Sequence, residues 1–312
     1  MPWWGWLLLG LLVPVALWVL LVVVFFVIAQ ARIMLHHPED PAVDKTWRPY
    51  AEKVKTAIQA VRKLPREDAE LVSRDGLRLR ARLYPASHAR GTIVLMHGFR
   101  GEGMRDFVSV VPFYHRLGLN VLVPDQRAHG RSQGHWICYG AKERYDCLAW
   151  MRWVNARMGE DAPLFLGGVS MGGATVLMTL GLDIPGNLRG VVADCAFTDP
   201  WAIMRHVCVD MYHLPACLLM RPCCWLSRLI TGWDYRSVSA KEILRICHTP
   251  VLFIHGSADH FVPTEMSRQN YEACAAEKRL VIVEGAQHAV SYLQDTPLYE
   301  REVEAFVNAH LS

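Results

Sequence analysis

The sequence predicts an α/β protein: a mostly parallel sheet with helices on both faces, a helical insertion and an N-terminal transmembrane helix. Three observations lead to this fold class. After residue 71, short apolar runs alternate with helical stretches. The apolar runs are continuous rather than alternating, which is typical of parallel strands buried on both faces. Residues 7–29 form a single long apolar segment, and no charged residue occurs before Arg32.

The N-terminal segment, residues 1–30, is predicted to be a retained membrane anchor. As a helix, residues 7–29 would measure about 34 Å, enough to cross a hydrocarbon core of about 30 Å. Three residues lie where an interfacial aromatic belt would form: Trp3, Trp4 and Trp6. A cleaved signal peptide is the alternative, because residues 29–31 (A-Q-A) resemble a cleavage site. We favour the anchor, since the apolar stretch is long and no Lys or Arg precedes it.

Charge and cysteine content bear on location and partners. Lys and Arg follow the span and none precede it, so the positive-inside rule places the C-terminal domain in the cytoplasm of a single-pass protein of the cell membrane. The nine cysteines are an odd number without regular spacing, which favours reduced thiols over a disulfide framework. Cys217, Cys223 and Cys224 lack the spacing of a zinc site, and we expect no metal there. The net charge of +3 arises entirely between residues 29 and 65, so no nucleic-acid partner is expected.

The connector, residues 31–66, contains an apolar stripe at helical spacing: Tyr50, Val54, Ile58 and Val61. Basic residues flank this stripe. The stripe has two interpretations, a helix lying on lipid headgroups or a helix packed against the following domain. We favour packing against the domain.

The large domain, residues 67–312, opens with a hairpin around Asp75-Gly76, a strong turn signal. The predicted strands that follow are residues 92–96, 120–123, 164–166, 190–193, 250–254 and 280–283. The predicted helices are residues 106–117, 142–158, 171–180, 265–276 and 298–311. Residues 197–249 interrupt the alternation and are rich in Met, Leu and Trp, which predicts a helical cap over the carboxyl edge of the sheet. Reactive groups collect at that edge in parallel sheets.

A nucleophile is predicted where residues 168–172 read G-V-S-M-G, which fits the pattern G-x-S-x-G. The motif follows a predicted strand and opens a predicted helix. In that context the pattern is typical of a nucleophile elbow, a sharp turn that exposes the serine hydroxyl. Ser170 is therefore the candidate nucleophile.

A serine nucleophile needs a base, and the base needs an acid to hold its tautomer. His288, just past the last predicted strand, is the candidate base. His97, His129 and His255 also lie at strand ends and compete with it. The candidate acid is Asp259, which directly follows the strand 250–254. Asp194 ends the preceding strand and is its rival, but the chain order Ser170, Asp259, His288 is the order expected after such an elbow.

An oxyanion hole needs two backbone donors. The N–H of Met171 is freed at the start of the helix after the elbow. The second donor is expected in the loop of residues 97–101, where we choose the N–H of Phe99. The side chain of Arg100 in this loop is interpreted as a surface arginine rather than as a ligand for an anionic substrate.

Together these motifs resemble the α/β-hydrolase superfamily over residues 71–312. Residues 97–99 (H-G-F) resemble its oxyanion loop, and residues 124–132 resemble its D-x-R-G-H-G-x-S turn, with Ala128 where a glycine is usual. Residues 192–200 (V-A-D-C-A-F-T-D-P) are similar to a group of bacterial hydrolases with one N-terminal span, described broadly as serine aminopeptidase-like or prolyl-oligopeptidase-like. The resemblance implies an α/β-hydrolase fold and hydrolysis through an acyl-enzyme.

The resulting expectation is a membrane-anchored serine hydrolase of carboxylesterase or lipase type. Its partners would be a small-molecule acyl substrate, including lipid-like ones, and the membrane; no cofactor is implied. A peptidase acting on short peptides and a non-catalytic binding module on the same fold are the alternatives. The cap is expected to select the acyl group, although its apolar side chains could instead form a core of their own or rest on the membrane.

Overall fold

The computed structural model describes residues 2–33, 42–43 and 45–311. Part of the predicted connector, residues 34–41 and 44, therefore lies outside the described residues. Helix α1 (Trp3–Gln30) stands largely free of the rest of the chain and buries only side chains near its C-terminal end. Residues 9–30 of this helix are long and apolar enough to cross a membrane.

Eight strands form one sheet in the order β1-β2-β4-β3-β5-β6-β7-β8. Their bounds are β1 (Glu67–Val72), β2 (Arg78–Tyr84), β3 (Gly91–Met96), β4 (Leu119–Asp125), β5 (Leu164–Val169), β6 (Leu188–Asp194), β7 (Val251–Gly256) and β8 (Lys278–Val283). The first hairpin and the β2–β4 pair are antiparallel, and every later pair is parallel. Every residue of β3, β4, β5 and β7 is buried, as the continuous apolar runs predict.

Helices cover both faces of the sheet, and each face has its own apolar core. The first face packs on α5 (Glu143–Met158), α6 (Met171–Thr179), α10 (Thr264–Ala273) and the end of α1. The opposite face packs on α2 (Ala51–Arg62), α3 (Gly103–Phe107), α4 (Val111–Arg116), α11 (Ser291–Gln294) and α12 (Thr296–His310). In α2, Val54 and Val61 are buried in that second core, so the apolar stripe of the connector lies on the domain.

The insertion between β6 and β7 is helical. It contains α7 (Pro200–Arg205), a π-helical turn (His206–Met211), α8 (Ala216–Thr231) and α9 (Ala240–Leu244). Polar caps fix the starts of two of these helices: Asp199 accepts a hydrogen bond from the N–H of Ala202, and Ser239 accepts one from the N–H of Glu242. Helix α8 ends at Gly232, whose left-handed backbone (φ 76°) is the usual terminator of a helix.

The predicted fold class is confirmed, with corrections to individual elements. The single helix predicted over residues 106–117 is two short helices, α3 and α4, because Val108 to Val110 form a turn between them. The hairpin predicted around Asp75-Gly76 is formed by β1 and β2, and β1 begins with polar residues because four of its six residues are exposed. The parallel strands extend most of the predicted runs by one to three residues, and β7 begins one residue later than predicted.

Candidate active site

Ser170 occupies a sharp turn between β5 and α6. Its backbone has φ 56° and ψ −119°, a conformation that side-chain-bearing residues rarely adopt. The turn is held by a hydrogen bond from the Ser170 N–H to the carbonyl of Asp194 (2.8 Å). It also needs two glycines, because a Cβ on Gly172 would lie 1.8 Å from the Met96 carbonyl oxygen, and one on Gly168 would lie 2.3 Å from the Gly172 oxygen. The sequence therefore folds here as the elbow that its motif predicts.

The three residues predicted as a triad lie together at the carboxyl edge of the sheet. His288 Nε2 is 2.9 Å from Ser170 Oγ, and His288 Nδ1 is 2.7 Å from Asp259 Oδ2. They come from three different loops, after β5, β7 and β8, which meet because these strands are parallel and close together in the sheet. One continuous hydrogen-bond chain thus joins a hydroxyl, an imidazole and a carboxylate, an arrangement that can move a proton off the serine.

Asp259 is buried and heavily hydrogen-bonded. Its Oδ1 accepts the backbone N–H groups of Phe261 and Val262, both at 2.9 Å. Its Oδ2 faces both His288 and His255, the latter at 3.2 Å. Burial alone would raise the pKa of this carboxyl, but the hydrogen bonds from His255, His288 and the backbone outweigh burial and hold the pKa well below its usual range. Asp259 is therefore a carboxylate at neutral pH.

Asp194, the rival acid, makes no hydrogen bond to His288 among the contacts of the described residues. Its Oδ1 accepts a hydrogen bond from Ser291 Oγ at 3.0 Å. Burial raises the pKa of Asp194 to about 6, only partly opposed by the neighbouring His255 and by the Ser291 hydrogen bond. The side chain of Asp194 thus bonds to Ser291 and does not orient the imidazole of His288.

The competing histidines have other partners. His97 Nδ1–H donates to the Gly98 carbonyl (2.8 Å), and its Nε2 accepts the Gln126 N–H (2.9 Å). His129 Nε2 accepts the Arg100 N–H at 3.0 Å. Burial and the adjacent His97 lower the pKa of His129 to about 3, so it stays neutral and can act as this acceptor. Both histidines support the loop after β3, a role that the sequence pattern did not reveal.

His255, the third competitor, contacts the proposed acid rather than the serine. It is fully buried, and its Nε2–H lies 2.9 Å from the Val262 carbonyl as well as facing Asp259. Its Nδ1 lies 2.7 Å from Ser267 Oγ. In the sequence, His255 lies near the end of β7 and only four residues before Asp259. This proximity is the feature of the sequence that could have indicated a supporting role.

The loop of residues 97–101 presents the second of the two predicted oxyanion donors. The carboxylate of Asp106 accepts the Gly98 N–H at 2.8 Å, and Gly98 lies directly against Ser170. Within the described part of the chain, neither the Phe99 N–H nor the Met171 N–H has a hydrogen-bond acceptor. Both groups are therefore available to an oxygen bound beside Ser170. No local motif indicates the support from Asp106, which lies outside the loop and belongs to α3.

A cavity of about 410 Å³ opens onto Ser170 and His288. Its walls include the side chains of Phe99, Phe261, Trp47 and Tyr292. No residue of the insertion, 197–249, is among the described residues that line it. The described wall of this cavity gives no support to the prediction that the cap selects the acyl group, which stays a prediction. The insertion contacts α1 through the Leu218 carbonyl and the loop after β7 through the contact of His206 with the His260 carbonyl.

Arg100 joins the site to the end of α1. Its guanidinium donates to the carbonyl of Ile28 and lies over the Phe99 ring, 4.9 Å from the ring centroid. Next to it, the Tyr139 hydroxyl donates to the carbonyl of Ala29 (2.6 Å), and the Tyr139 ring stacks on Phe99 at 5.3 Å. Both donors satisfy carbonyls that a helix C-terminus leaves without partners. Arg100 is thus not a free surface residue, because its guanidinium is bound to the end of α1.

One group of side chains has the composition of a metal site: Cys195, Asp259 and His288, whose ligand atoms lie within 4.8 Å of one another. Asp259 and His288 already bond to each other. Burial, together with Asp194, raises the pKa of the Cys195 thiol well above its usual value, so the thiol keeps its proton and is a poor ligand. The cluster therefore matches a proton-transfer pair beside a buried thiol better than a metal site.

Comparison with known proteins supports the fold. Residues 91–209, which contain the loop after β3 and the elbow, match the family model described as the α/β-hydrolase fold. The chain has the α/β-hydrolase fold. The fold class and the resemblance to the α/β-hydrolase superfamily predicted from the motifs are thereby confirmed, and the solved structures that share this fold include esterases.

Three similar proteins illustrate the match. The Pyrococcus furiosus esterase Pf2001 superposes with a TM-score of 0.62 at 21% identity, covering 80% of this chain and 94% of that one. The uncharacterized protein YqkD of Bacillus subtilis is 28% identical over 217 residues, 70% of this chain and 71% of YqkD. The uncharacterized membrane protein YNL320W of Saccharomyces cerevisiae is 24% identical over 269 residues, 84% of this α/β-hydrolase and 86% of the yeast protein.

Proposed function

We propose that this α/β-hydrolase is a membrane-anchored serine esterase of carboxylesterase or lipase type. The observation that carries the proposal is the hydrogen-bond chain from Ser170 through His288 to Asp259. The strained backbone of Ser170 supports the assignment, because such strain persists in structures where a reactive group must be exposed. The esterase-like fold and the similarity to an esterase agree with it.

In the proposed reaction, His288 Nε2 takes the proton of Ser170 Oγ as that oxygen bonds to the acyl carbon of the ester. The carbonyl electrons move onto oxygen, and the N–H groups of Phe99 and Met171 donate to this oxyanion. When the carbonyl re-forms, the alcohol leaves with the proton from His288. Asp259 holds the Nδ1–H throughout and stabilises the imidazolium.

The second half of the reaction restores the enzyme. His288 removes a proton from water, whose oxygen bonds to the acyl carbon and generates the oxyanion again. The bond to Ser170 Oγ then breaks, and the serine recovers its proton from His288. The products are an alcohol and a carboxylic acid, and no cofactor takes part.

The cavity supports a compact acyl ester as substrate. Its aromatic walls, Phe99, Phe261 and Tyr292, offer apolar contact, as is usual for small-molecule sites. A volume of about 410 Å³ falls within the range of ligand cavities and accommodates a short or medium acyl chain.

For location, we propose that α1 is a retained single span with the hydrolase domain on the cytoplasmic side. The length and apolar composition of α1 support the span, and a yeast relative is described as a membrane protein. The distribution of Lys and Arg supports the orientation. The nine cysteines are free thiols, which agrees with a reducing compartment.

Labelling with a fluorophosphonate tests the proposed nucleophile. We expect the full-length protein to react and Ser170→Ala not to react, with ester turnover reduced by about six orders of magnitude. Ser237→Ala, at an exposed serine outside the cavity, is the matched control and should label like the parent. Labelling of Ser170→Ala at the parental rate would reject the nucleophile. Faster cleavage of a peptide anilide than of the matched ester would favour a peptidase.

A further inference from the structure

Helix α1 consists of a free part and a docked part. All side chains that the structure describes between residues 3 and 21 are exposed, and burial against the domain begins at Val22. The 19 residues of the free part measure about 28 Å along the helix axis, close to a hydrocarbon core of about 30 Å. If the free part crosses the bilayer, the boundary on the domain side lies near residues 18–22.

Helix α8 of the insertion packs against α1 at that level. The indole Nε1–H of Trp18 donates to the Leu218 carbonyl at 3.0 Å. One turn further along each helix, the Cys223 thiol lies 3.7 Å from the Val22 carbonyl oxygen. The first turns of α8 are therefore held beside the part of α1 where the bilayer would end.

The outward face of α8 is apolar and basic. Leu218, Arg221, Trp225 and Leu229 follow one another at spacings of three and four residues, which places them on one side of the helix. Leu218, Trp225 and Leu229 are 52%, 65% and 68% exposed. The opposite side, which includes Leu219 and Cys223, is buried in the core.

The charges of α8 are all of one sign. It carries Arg221 and Arg228, both exposed, and its sequence contains no Asp or Glu. Exposed Trp and Leu together with arginines, without acidic residues, are typical of helices that lie at the interface of an anionic membrane. A soluble surface rarely leaves large apolar side chains together in this way without a partner.

We propose that the outward face of α8 lies in the headgroup region of the bilayer that α1 crosses, with anionic lipids as its partners. Leu218 and Trp225 enter the boundary between headgroups and acyl chains, and the two arginines contact lipid phosphates. The inference rests on the proposed anchoring by α1. It assigns the insertion to membrane contact rather than to the cavity wall.

This placement also sets the position of the active site. The Ile28 carbonyl, which Arg100 binds, lies seven residues beyond Leu21, about 10 Å further along α1. Because Arg100 lines the cavity, the catalytic serine works close to the lipid headgroups. An ester that partitions into the membrane would therefore reach it over a short path.

Cys217 provides a natural reporter for the test, because it is exposed at the start of α8 and the other eight cysteines are buried. The full-length protein is reconstituted into vesicles of phosphatidylcholine and phosphatidylglycerol, and Cys217 is labelled with a fluorophore. Lipids carrying a nitroxide near the headgroup serve as quenchers. Two references use the Cys217→Ser background: Leu12→Cys within the span, and Glu304→Cys on α12, against the opposite face of the sheet.

We expect quenching at position 217 by the shallow nitroxide, stronger than by a nitroxide deep in the acyl chain, and no quenching at position 304. A fluorophore quenched at position 12 and unquenched at 217 would overturn the proposal for α8 while leaving the anchor in place. Absence of quenching at both positions would reject the anchor and the proposal that rests on it. Cross-linking of Cys217 to its copy in a second chain, without quenching, would assign the face to a dimer instead.

Paired substitutions test the lipid preference. Arg221→Gln with Arg228→Gln should reduce the quenching at Cys217 in anionic vesicles to the level seen in pure phosphatidylcholine. Arg62→Gln, an exposed arginine on α2, is the control and should leave the quenching unchanged. Turnover of a water-soluble ester should stay at the parental level in both, because none of these side chains lines the cavity. Equal quenching of the paired variant and the parent would reject the anionic preference.

Discussion

Asp194 ends β6 and Asp259 follows the neighbouring parallel strand β7, and the two residues are almost equally buried, with 6% and 5% exposure. The pKa values of their carboxyl groups nevertheless shift in opposite directions from that of an ordinary carboxyl. The pKa of Asp259 is held low, whereas the pKa of Asp194 is raised to about 6. The difference comes from their donors: Asp259 receives two histidines and two backbone N–H groups, and Asp194 receives one serine hydroxyl.

A position at the carboxyl end of a strand is therefore not sufficient for a catalytic acid. Burial favours the neutral form of a carboxyl, and only a full set of donors keeps it ionised in the interior. The loop after β7 provides that set because its backbone turns back over the Asp259 carboxylate. The loop after β6 directs its backbone toward Ser170 instead, through the Asp194 carbonyl.

The largest expected effect is a difference in turnover between variants of the two aspartates. Asp259→Asn should reduce kcat for an ester by about four orders of magnitude, because an amide in this position favours the wrong imidazole tautomer. Asp194→Asn is the matched control and should keep kcat within a few-fold of the parent. Steady-state kinetics on a soluble ester measure both. The reverse order of the two variants would make Asp194 the acid.

The second expected effect is a difference in how the two aspartates make stability depend on pH. Asp194 has a raised pKa in the folded protein, so its contribution to stability is present below about pH 4 and is lost as pH rises through about 6. A shift of this size corresponds to about 3 kcal/mol. We expect Asp194→Asn to raise Tm relative to the parent at pH 8 and to lose that advantage at pH 4.

Substitution of Asp259 should change the pH dependence of Tm in the opposite direction. Its lowered pKa contributes stability above the ordinary carboxyl range, and that stability is lost as the solution becomes acidic. Asp259→Asn should therefore lower Tm at neutral pH and approach the parent in acid. Parallel Tm curves for the two variants across about pH 2–8 would show that the two carboxyls do not differ as described.

The smallest effect tests whether His255 sustains the ionised state of Asp259. His255→Leu should lower the free energy of unfolding by roughly 2 kcal/mol, the typical value of a hydrogen bond to a charged group. The same variant should shift the acidic limb of the pH profile of kcat. His255→Gln keeps an N–H donor near the same place and is expected to recover part of both effects. Identical losses in the two variants would assign His255 to packing alone.

The sequence was sufficient to predict which residues of the candidate site lie together, where each belongs to a local pattern. Ser170 and Met171 belong to one strand–turn–helix motif, and Asp259 and His288 each follow an apolar strand at the expected place along the chain. The structure brings these positions together because parallel strands place their ends at one edge. Phe99 was located in the same way, from the loop after β3.

The supporting contacts could not be derived from pattern, because each joins residues that belong to different elements and to no common motif. Asp106 holds Gly98 from a separate helix, and Arg100 binds the Ile28 carbonyl 72 residues away. The surfaces that the insertion contacts could not be derived from pattern either. Composition identified the insertion as apolar, but composition does not state which surface an apolar helix will cover.

The end of α1 has a consequence for proteolysis. The segment that resembles a signal-peptidase site is folded into the protein: Ala29 is helical and buried, and Gln30 is fully buried and exchanges hydrogen bonds with Ile137. A protease needs an extended, accessible segment, so the folded molecule protects this peptide bond. Cutting there would also remove the carbonyls that Tyr139 and Arg100 bind beside Phe99. Cleavage at this bond therefore requires the end of α1 to leave the domain first, with loss of the contacts that Tyr139 and Arg100 make to it.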